Sequence, residues 1–420
     1  MMWCRDGFMP RQSRWLTMRS VSMEVAVMSK DLIKPFAVAL LLLMGVAGYF
    51  CIKFASNPFA SAVTGDIRIG VLFDGKLNDG GWNEAQRIGF EYVKNTLKVQ
   101  VVYRDSLPHA DAANMRVDND MRGDGKGIDE ETAMHIIDQL VRADRATIVF
   151  STSDVYASAV EKAAQKYSNV KFFQLKGKKA QGNLASYYAR IYQACYLSGI
   201  VAGRQTETGH IGYVSSFPRP EQIRVINAFA LGVQSVNPQA VVHLRWSHTY
   251  SDVEREKEVA NRLMDDFPVD VMATNLNTIS VLEAADARGV KSIGYNMEHT
   301  DMFPNTFLAA SVWHWDKFYE ARMRECMEGR FKGTMYFADI SEGFFGLSEL
   351  SPLVKPGTAN LVETAMARFR SGKWDVFYGP IYDQRGVLRV AGDENMSDDE
   401  VSQHFDWLVR GVEGSCGEDD

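Results

Sequence analysis

Aromatic and amide side chains recur in this 420-residue chain at the points where hydrophobic runs break off. Trp82, Asn83, Phe217, Asn275, Asn277, Asn296 and Trp313, with Trp315 close by, each lie at or just past the end of a short β-branched or aromatic run. An aromatic face stacks on a flat ring, and a primary amide offers donors and an acceptor to the edge of a heterocycle. The fullest example runs from Gly70 to Phe90, GVLFDGKLNDGGWNEAQRIGF: strand-forming residues stop at a Gly/Asn/Asp cluster, and a helix begins at Trp82. A strand, a loop and a helix start in that order make a ligand crevice, with unpaired backbone N–H groups at the helix N-terminus. Taken singly, each aromatic reads as core and each Asn as a turn residue. Their recurrence at successive strand ends is what points to a site for a small planar molecule.

Chemistry of other kinds is missing. The chain has no nucleophile elbow and no H-E-x-x-H. Gly177-Lys178-Lys179 lacks the remainder of a phosphate loop, and Gly75–Gly81 lacks the G-x-G-x-x-G spacing. The eight histidines are scattered, and only His314, between Trp313 and Trp315, adjoins a candidate residue. Cys195, Cys326 and Cys416 are far apart and form no C-x-x-C pair, so they read as isolated thiols. The polar, glycine-rich stretch 104–131 fails as a calcium loop: with Asp118 counted as first, Arg122 falls at the fifth position and a short Asp129 at the twelfth. No catalytic residue, cofactor or metal is therefore expected. A net charge of −7 gives no basic footprint for nucleic acid.

The elements that position these residues alternate. Strand signals fall at Ile67–Phe73, Val99–Tyr103, Thr147–Ser151, Val170–Gln174, Ile211–Val214, Val241–Trp246, Val271–Thr274, Ser292–Tyr295 and Phe307–Val312. Amphipathic helical runs separate them. Ser153 opens one that carries Val155, Ala159, Val160, Ala163 and Tyr167 on one face, and capping boxes are read at Ser251/Glu254 and Ser397/Glu400. Alternating β and α predicts parallel sheets covered by helices on both faces. The strands are too many for one compact sheet, and NLASYYARIYQACYLSG (Asn183–Gly199) reads as a changeover, so two similar α/β lobes are expected. The loops Asp74–Trp82, Ser151–Asp154, Phe217–Glu221, Thr274–Thr278 and Asn296–Glu298 should then converge on one cleft.

The first 62 residues differ in kind. An uncharged run from Pro35 to Ile52 follows Lys30 and Lys34, and reads either as a signal peptide or as a membrane anchor. Arg5, Arg11, Arg14 and Arg19 put that side in the cytoplasm, so the remainder is expected to be exported. Met28 would make a tidier start. Ala60-Ser61-Ala62 has the form of a cleavage site, whereas Gly48-Tyr49-Phe50 before Cys51 does not suit lipidation.

Several stretches together resemble the basic membrane protein (Bmp, or PnrA-like) family of ABC-importer solute-binding proteins. They are Gly80-Gly81-Trp82, Tyr187–Gly203, IGYVSSFPRPEQIRVINAFALG (Ile211–Gly232), IGYN (Ile293–Asn296), SVWHW (Ser311–Trp315) and GPIYDQRGVLRV (Gly379–Val390). The resemblance spans about Asp66 to Gly414 and implies a type I periplasmic-binding architecture, two Rossmann-like lobes with parallel sheets joined by three hinge crossovers. These should lie near Asn183–Ser186, Val312–Trp315 and Ser341–Phe345. The lobes would comprise residues 66–184 with 313–342, and 185–312 with 343–414, followed by a disordered tail at 415–420. By the same resemblance Trp82 stacks on a purine-like base, Asn83 reaches its polar atoms, and Phe217 and Glu221 match the F-P-x-P-E loop that closes over it. Asn275 and Asn277 occupy a cleft loop, and Trp313 is the crossover aromatic. Nucleoside-binding members hold ribose with an acidic residue where this chain has Asn296, which favours a bare base. The implied partners are that ligand and a membrane permease. The alternative on the same fold is a membrane-anchored sensor.

Overall fold

The computed structural model describes residues 67–105, 130–403 and 405–417. Parallel strands buried on both faces need near-continuous apolar runs, and the chain supplies them in two sets. The first sheet holds β1 (Arg68–Leu72), β2 (Gln100–Arg104), β3 (Ile148–Ser151), β4 (Lys171–Leu175), β5 (Leu184–Ala189) and β11 (Met335–Ala338). Its order is β11-β5-β4-β3-β1-β2, parallel throughout. Helices α1 (Trp82–Leu97), α2 (Glu130–Arg142), α3 (Ala157–Lys166) and α8 (Trp315–Met327) belong to this lobe.

The second sheet holds β6 (His210–Ser215), β7 (Val241–Trp246), β8 (Val271–Thr274), β9 (Lys291–Asn296), β10 (Phe307–Trp313), β12 (Phe345–Leu347) and β15 (Val412–Glu413). Its order is β12-β10-β9-β8-β6-β7-β15, with only β12 antiparallel. Around it lie α4 (Tyr192–Gln205), α5 (Pro220–Val236), α6 (Val253–Asp266), α7 (Ser280–Ala287), α9 (Thr358–Arg370) and α10 (Asp398–Gln403). A separate hairpin pairs β13 (Ile381–Tyr382) with β14 (Leu388–Val390).

All nine strands expected from the sequence are present. The chain crosses between sheets three times, after Ala189, after Trp313 and between Ala338 and Phe345. The first crossing corrects the expectation. Leu184–Ser186 lies inside β5, where Phe172 pairs with Leu184 and Tyr336 with Tyr187, so the boundary expected at 184/185 moves past Ala189. The aromatic strand LASYYA has no flanking turn residues to separate it from α4, and the two elements merge in the sequence.

Two smaller expectations also change. The cap of α6 is Asp252, whose carboxylate accepts from the Arg255 N–H at 3.1 Å, one residue beyond the expected Ser251. The tail is tied down as far as Gly417: β15 supplies the edge partner of β7, and the buried Trp246 indole donates to the Ser415 carbonyl at 2.8 Å. The box expected at Ser397/Glu400 is found, and Ser153, expected to open a helix, caps the short 3-10 turn that leads into α3. The apolar run 35–52 and nearly all of the 104–131 loop lie outside the described residues. No helix among the described residues is long and apolar enough to cross a membrane.

Close helix contacts hold each lobe together. Helix α4 is buried along almost its whole length and crosses α5 so tightly that a Cβ on Gly199 would lie 2.0 Å from the Phe229 carbonyl oxygen. A Cβ on Gly232 would stand 2.0 Å from the Tyr196 carbonyl oxygen. In the first lobe α1 meets the start of α8 at Gly89, where a Cβ would be 2.6 Å from that of Trp315. That contact seats the second crossing, with its two tryptophans, against Trp82.

Candidate ligand-binding cleft

Six strands end at the cleft, and each delivers a side chain at its C-terminal end: Thr152 after β3, Gln174 in β4, Ser216 after β6, Asn275 after β8, Asn296 in β9 and Trp313 in β10. The loop after β1 brings Asp79 to Trp82. Asp79 was not singled out in the sequence, and it settles the chemistry of the helix start. One of its carboxylate oxygens accepts from Gly81 N at 2.9 Å and Glu84 N at 3.0 Å; the other accepts from Asn83 N and Asn83 Nδ2, both at 2.9 Å. The N–H groups expected to face a ligand are thus satisfied by the protein, in the manner of an N-cap placed one turn early. Asn83 Nδ2 is taken as well, while its Oδ1 is buried without a partner.

Trp82 is half-buried and donates its indole N–H to the Thr152 carbonyl at 3.2 Å. Its ring stands nearly perpendicular to Trp313 (5.8 Å, 81°) and Trp315 (5.6 Å, 87°), which stack on each other at 4.7 Å and 11°. Tyr188 adjoins Trp313 at 5.7 Å. Edge-to-face and stacked pairs of this kind hold aromatic planes in fixed orientations. Phe217 lies elsewhere: among the described residues its ring neighbours are Tyr250 at 5.0 Å, His248 at 6.0 Å and the Arg219 guanidinium, all from the second lobe. Trp82 and Phe217 therefore sit on opposite lobes and make no ring contact with each other.

The amides behave alike. Asn275 donates to Gln222 Oε1 and leaves Oδ1 buried and unpartnered. Asn296 is fully buried at φ +68°, a left-handed conformation that Asn tolerates better than most residues. Its Nδ2 reaches the Leu276 carbonyl at 3.5 Å, and its Oδ1 has no partner. Asn277 contributes backbone: its carbonyl oxygen would lie 2.1 Å from a Cβ on Gly81. The rims of the two lobes meet there, and only glycine permits the approach.

Glu221 does not face the cleft as a free carboxylate. It accepts from Lys176 Nζ at 2.7 Å, an ion pair that ties the end of β4 to the first turn of α5 across the lobes. Burial pushes the Glu221 carboxyl up, but Lys176, with Arg224 and Arg219, outweighs this and holds it below the ordinary value of 4.5. Burial likewise opposes the Lys176 charge, and Glu221 holds its ammonium above the usual lysine range. Lys176 adopts φ +50° and lies 4.8 Å over the Tyr188 ring. Lys176 was not singled out in the sequence; its position directly after a strand end was the signal available.

Buried polar atoms without a partner in the chain gather around these residues. Beyond Asn83, Asn275 and Asn296 they are Gln174 Oε1, Ser215 Oγ, Ser216 Oγ, Trp313 Nε1 and Trp315 Nε1. Each such atom costs about 1–3 kcal/mol when left unmade. A cluster of them beside fixed aromatic planes is the arrangement of a small-molecule site. Gln174, Ser215 and Ser216 were legible only by extending the strand-end rule to residues with ordinary side chains.

Two α/β lobes with parallel sheets, crossed three times by the chain over a polar and aromatic cleft, define a bilobed solute-binding protein. The chain belongs to the family of PnrA-like ABC transporter substrate-binding proteins (Bmp), whose model matches residues 67–364. A purine-binding protein of Brucella abortus is 28% identical over 349 residues, covering 83% of this chain and 93% of that protein. TsgA13 of Haloferax volcanii, a candidate ABC transporter glucose-binding protein, is 30% identical over 279 residues, 66% of this chain and 68% of its own length. An ABC transporter solute-binding protein from Conexibacter woesei shares the fold with a TM-score of 0.61 at 18% identity, covering 74% of this chain and 98% of that one.

Proposed function

We propose that this chain is the exported receptor of an ABC importer and captures a purine base between its lobes for delivery to a membrane permease. The observation that carries the reading is the cluster of buried, unpartnered amide, hydroxyl and indole atoms set around Trp82 and Trp313. A flat heterocycle uses both features at once: its face meets an aromatic plane, and its ring nitrogens and exocyclic groups meet fixed donors and acceptors. Trp82 and Trp313 line the first-lobe and hinge side, Phe217 the second-lobe side, with Asn83, Asn275, Asn277 and Asn296 giving edge contacts. Glu221 acts through Lys176 as a tie between lobes. The similarity to a purine-binding protein supports the class. Asn296, uncharged and fully buried, offers ribose hydroxyls no carboxylate, which favours the base over the nucleoside.

A hexose is the second reading, because TsgA13 carries that description. Titration calorimetry of the full chain against hypoxanthine, adenine, guanine, their nucleosides and glucose separates the two. The expected result is binding of at least one base, tighter than about 10 μM and about tenfold or more tighter than its nucleoside. Glucose binding with no base bound would overturn the proposal.

A further inference from the structure

A groove of about 430 Å³ is lined in part by hinge-crossing residues and shares no lining residue with the cleft residues described above. It is built on two of the three crossings. His314 and Lys317, at the start of α8, come from the first-lobe side of the second crossing. Ser341, Gly343 and Phe345–Ser348 come from the third, while Leu197 of α4 and Val362, Met366 and Arg370 of α9 belong to the second lobe. The lining is mixed: the half-buried Leu347, Val362 and Met366 offer its apolar surface, with Leu197 and Phe345 buried beneath, and polar atoms make up the rest.

The polar rim is unbalanced toward donors. Arg370 is paired with Glu363 at 2.6 Å, so the one acidic side chain of the lining is already engaged. Lys317 is exposed and makes no ion pair or hydrogen bond among the described residues. The half-buried His314 ring faces Gly346, whose Cβ would lie 4.0 Å from its Nε2. The partly exposed Val362 and Met366 beside an unpaired ammonium are complementary to a compact anion with a small apolar body.

We propose that this groove is a second ligand site, for a small carboxylate carrying an aliphatic or aryl body of about ten heavy atoms, with the carboxylate on Lys317 and the body on Val362 and Met366. Because Lys317 rides with the first lobe and Met366 with the second, an occupant touches both sides of the hinge. Its binding is then coupled to closure, and the coupling is reciprocal with cleft binding. The coupling rests on the purine reading; the binding itself does not.

The test uses the full chain with octanoate, benzoate and 1-naphthoate as probes, each titrated calorimetrically up to about 5 mM. The expected result is saturable binding of at least one probe, lost in Met366→Trp, which fills the groove, and weakened about fivefold or more in Lys317→Glu. Where a purine base binds, the probe should also change its affinity about fivefold or more in wild type and leave it unchanged in Met366→Trp. Failure of all three probes to bind, probe binding unaltered in both variants, or simple competition with the base for the cleft would each overturn the second site. Failure of purines alone would leave the probe titration intact, so the two readings fail separately.

Discussion

Asp79 shows how one side chain redirects a site. Trp82 was legible because a strand, a turn cluster and an indole follow in order, but the occupancy of the helix N–H groups was not. It depends on the conformation of Asp79–Gly81, including Gly80 at φ +73°, which folds a carboxylate back over the helix start. The amides were legible as strand-end residues, and their orphaned oxygens were not, since satisfaction is a property of the whole packed cleft. Gly81 is the sharpest residue-scale test. A Cβ there would press on the Asn277 carbonyl at 2.1 Å, so Gly81→Ala should hold the rims apart. Ligand affinity is expected to fall about tenfold or more while Tm moves by only a few degrees; unchanged affinity would mean that the rim contact has no part in binding.

The Lys176–Glu221 pair gives a pH expectation with a definite sign. Glu221 titrates below its ordinary 4.5 in the folded, closed protein. Its contribution is therefore complete above about pH 4.5 and disappears as pH falls through the folded value. Closure, read as ligand affinity, should be flat from neutrality down to about pH 5 and then weaken, and Glu221→Gln should remove that acid limb while lowering affinity at neutral pH.

At the scale of elements, most of the framework was open to reading. Parallel strands buried on both faces announce themselves as apolar runs, and nine did. Those that escaped were short or lacked boundaries: β5 continues into α4 without a turn residue, while β11 and β12 owe their pairing to the crossings and not to any local pattern. Helices α4 and α5 explain why the tract from Tyr187 to Gly232 is so distinctive. Their glycines let two backbones touch, and nothing larger fits. Gly199→Ala should consequently destabilise the second lobe by about 2–3 kcal/mol, measured as a lower urea midpoint at unchanged m. A midpoint within error of wild type would show that the helices can part without cost.

On the scale of the molecule, the proposed binding needs two surfaces to meet. The first lobe and hinge bring Trp82 with Trp313 and Trp315; the second brings Phe217 with Tyr250 and the orphaned serines and amides. On the proposed reading each half supplies part of the binding surface, and closure links them. Family membership sets the class of protein, and the proposal leaves the choice among solutes to these few side chains. The decisive measurement is the calorimetric affinity for the tightest purine base in wild type, Trp82→Ala and Phe217→Ala. The account predicts that either substitution alone weakens binding about thirtyfold or more, roughly 2 kcal/mol, with the thermal transition of the unliganded chain little changed. If either variant binds the base as tightly as wild type, the inter-lobe aromatic clamp is contradicted.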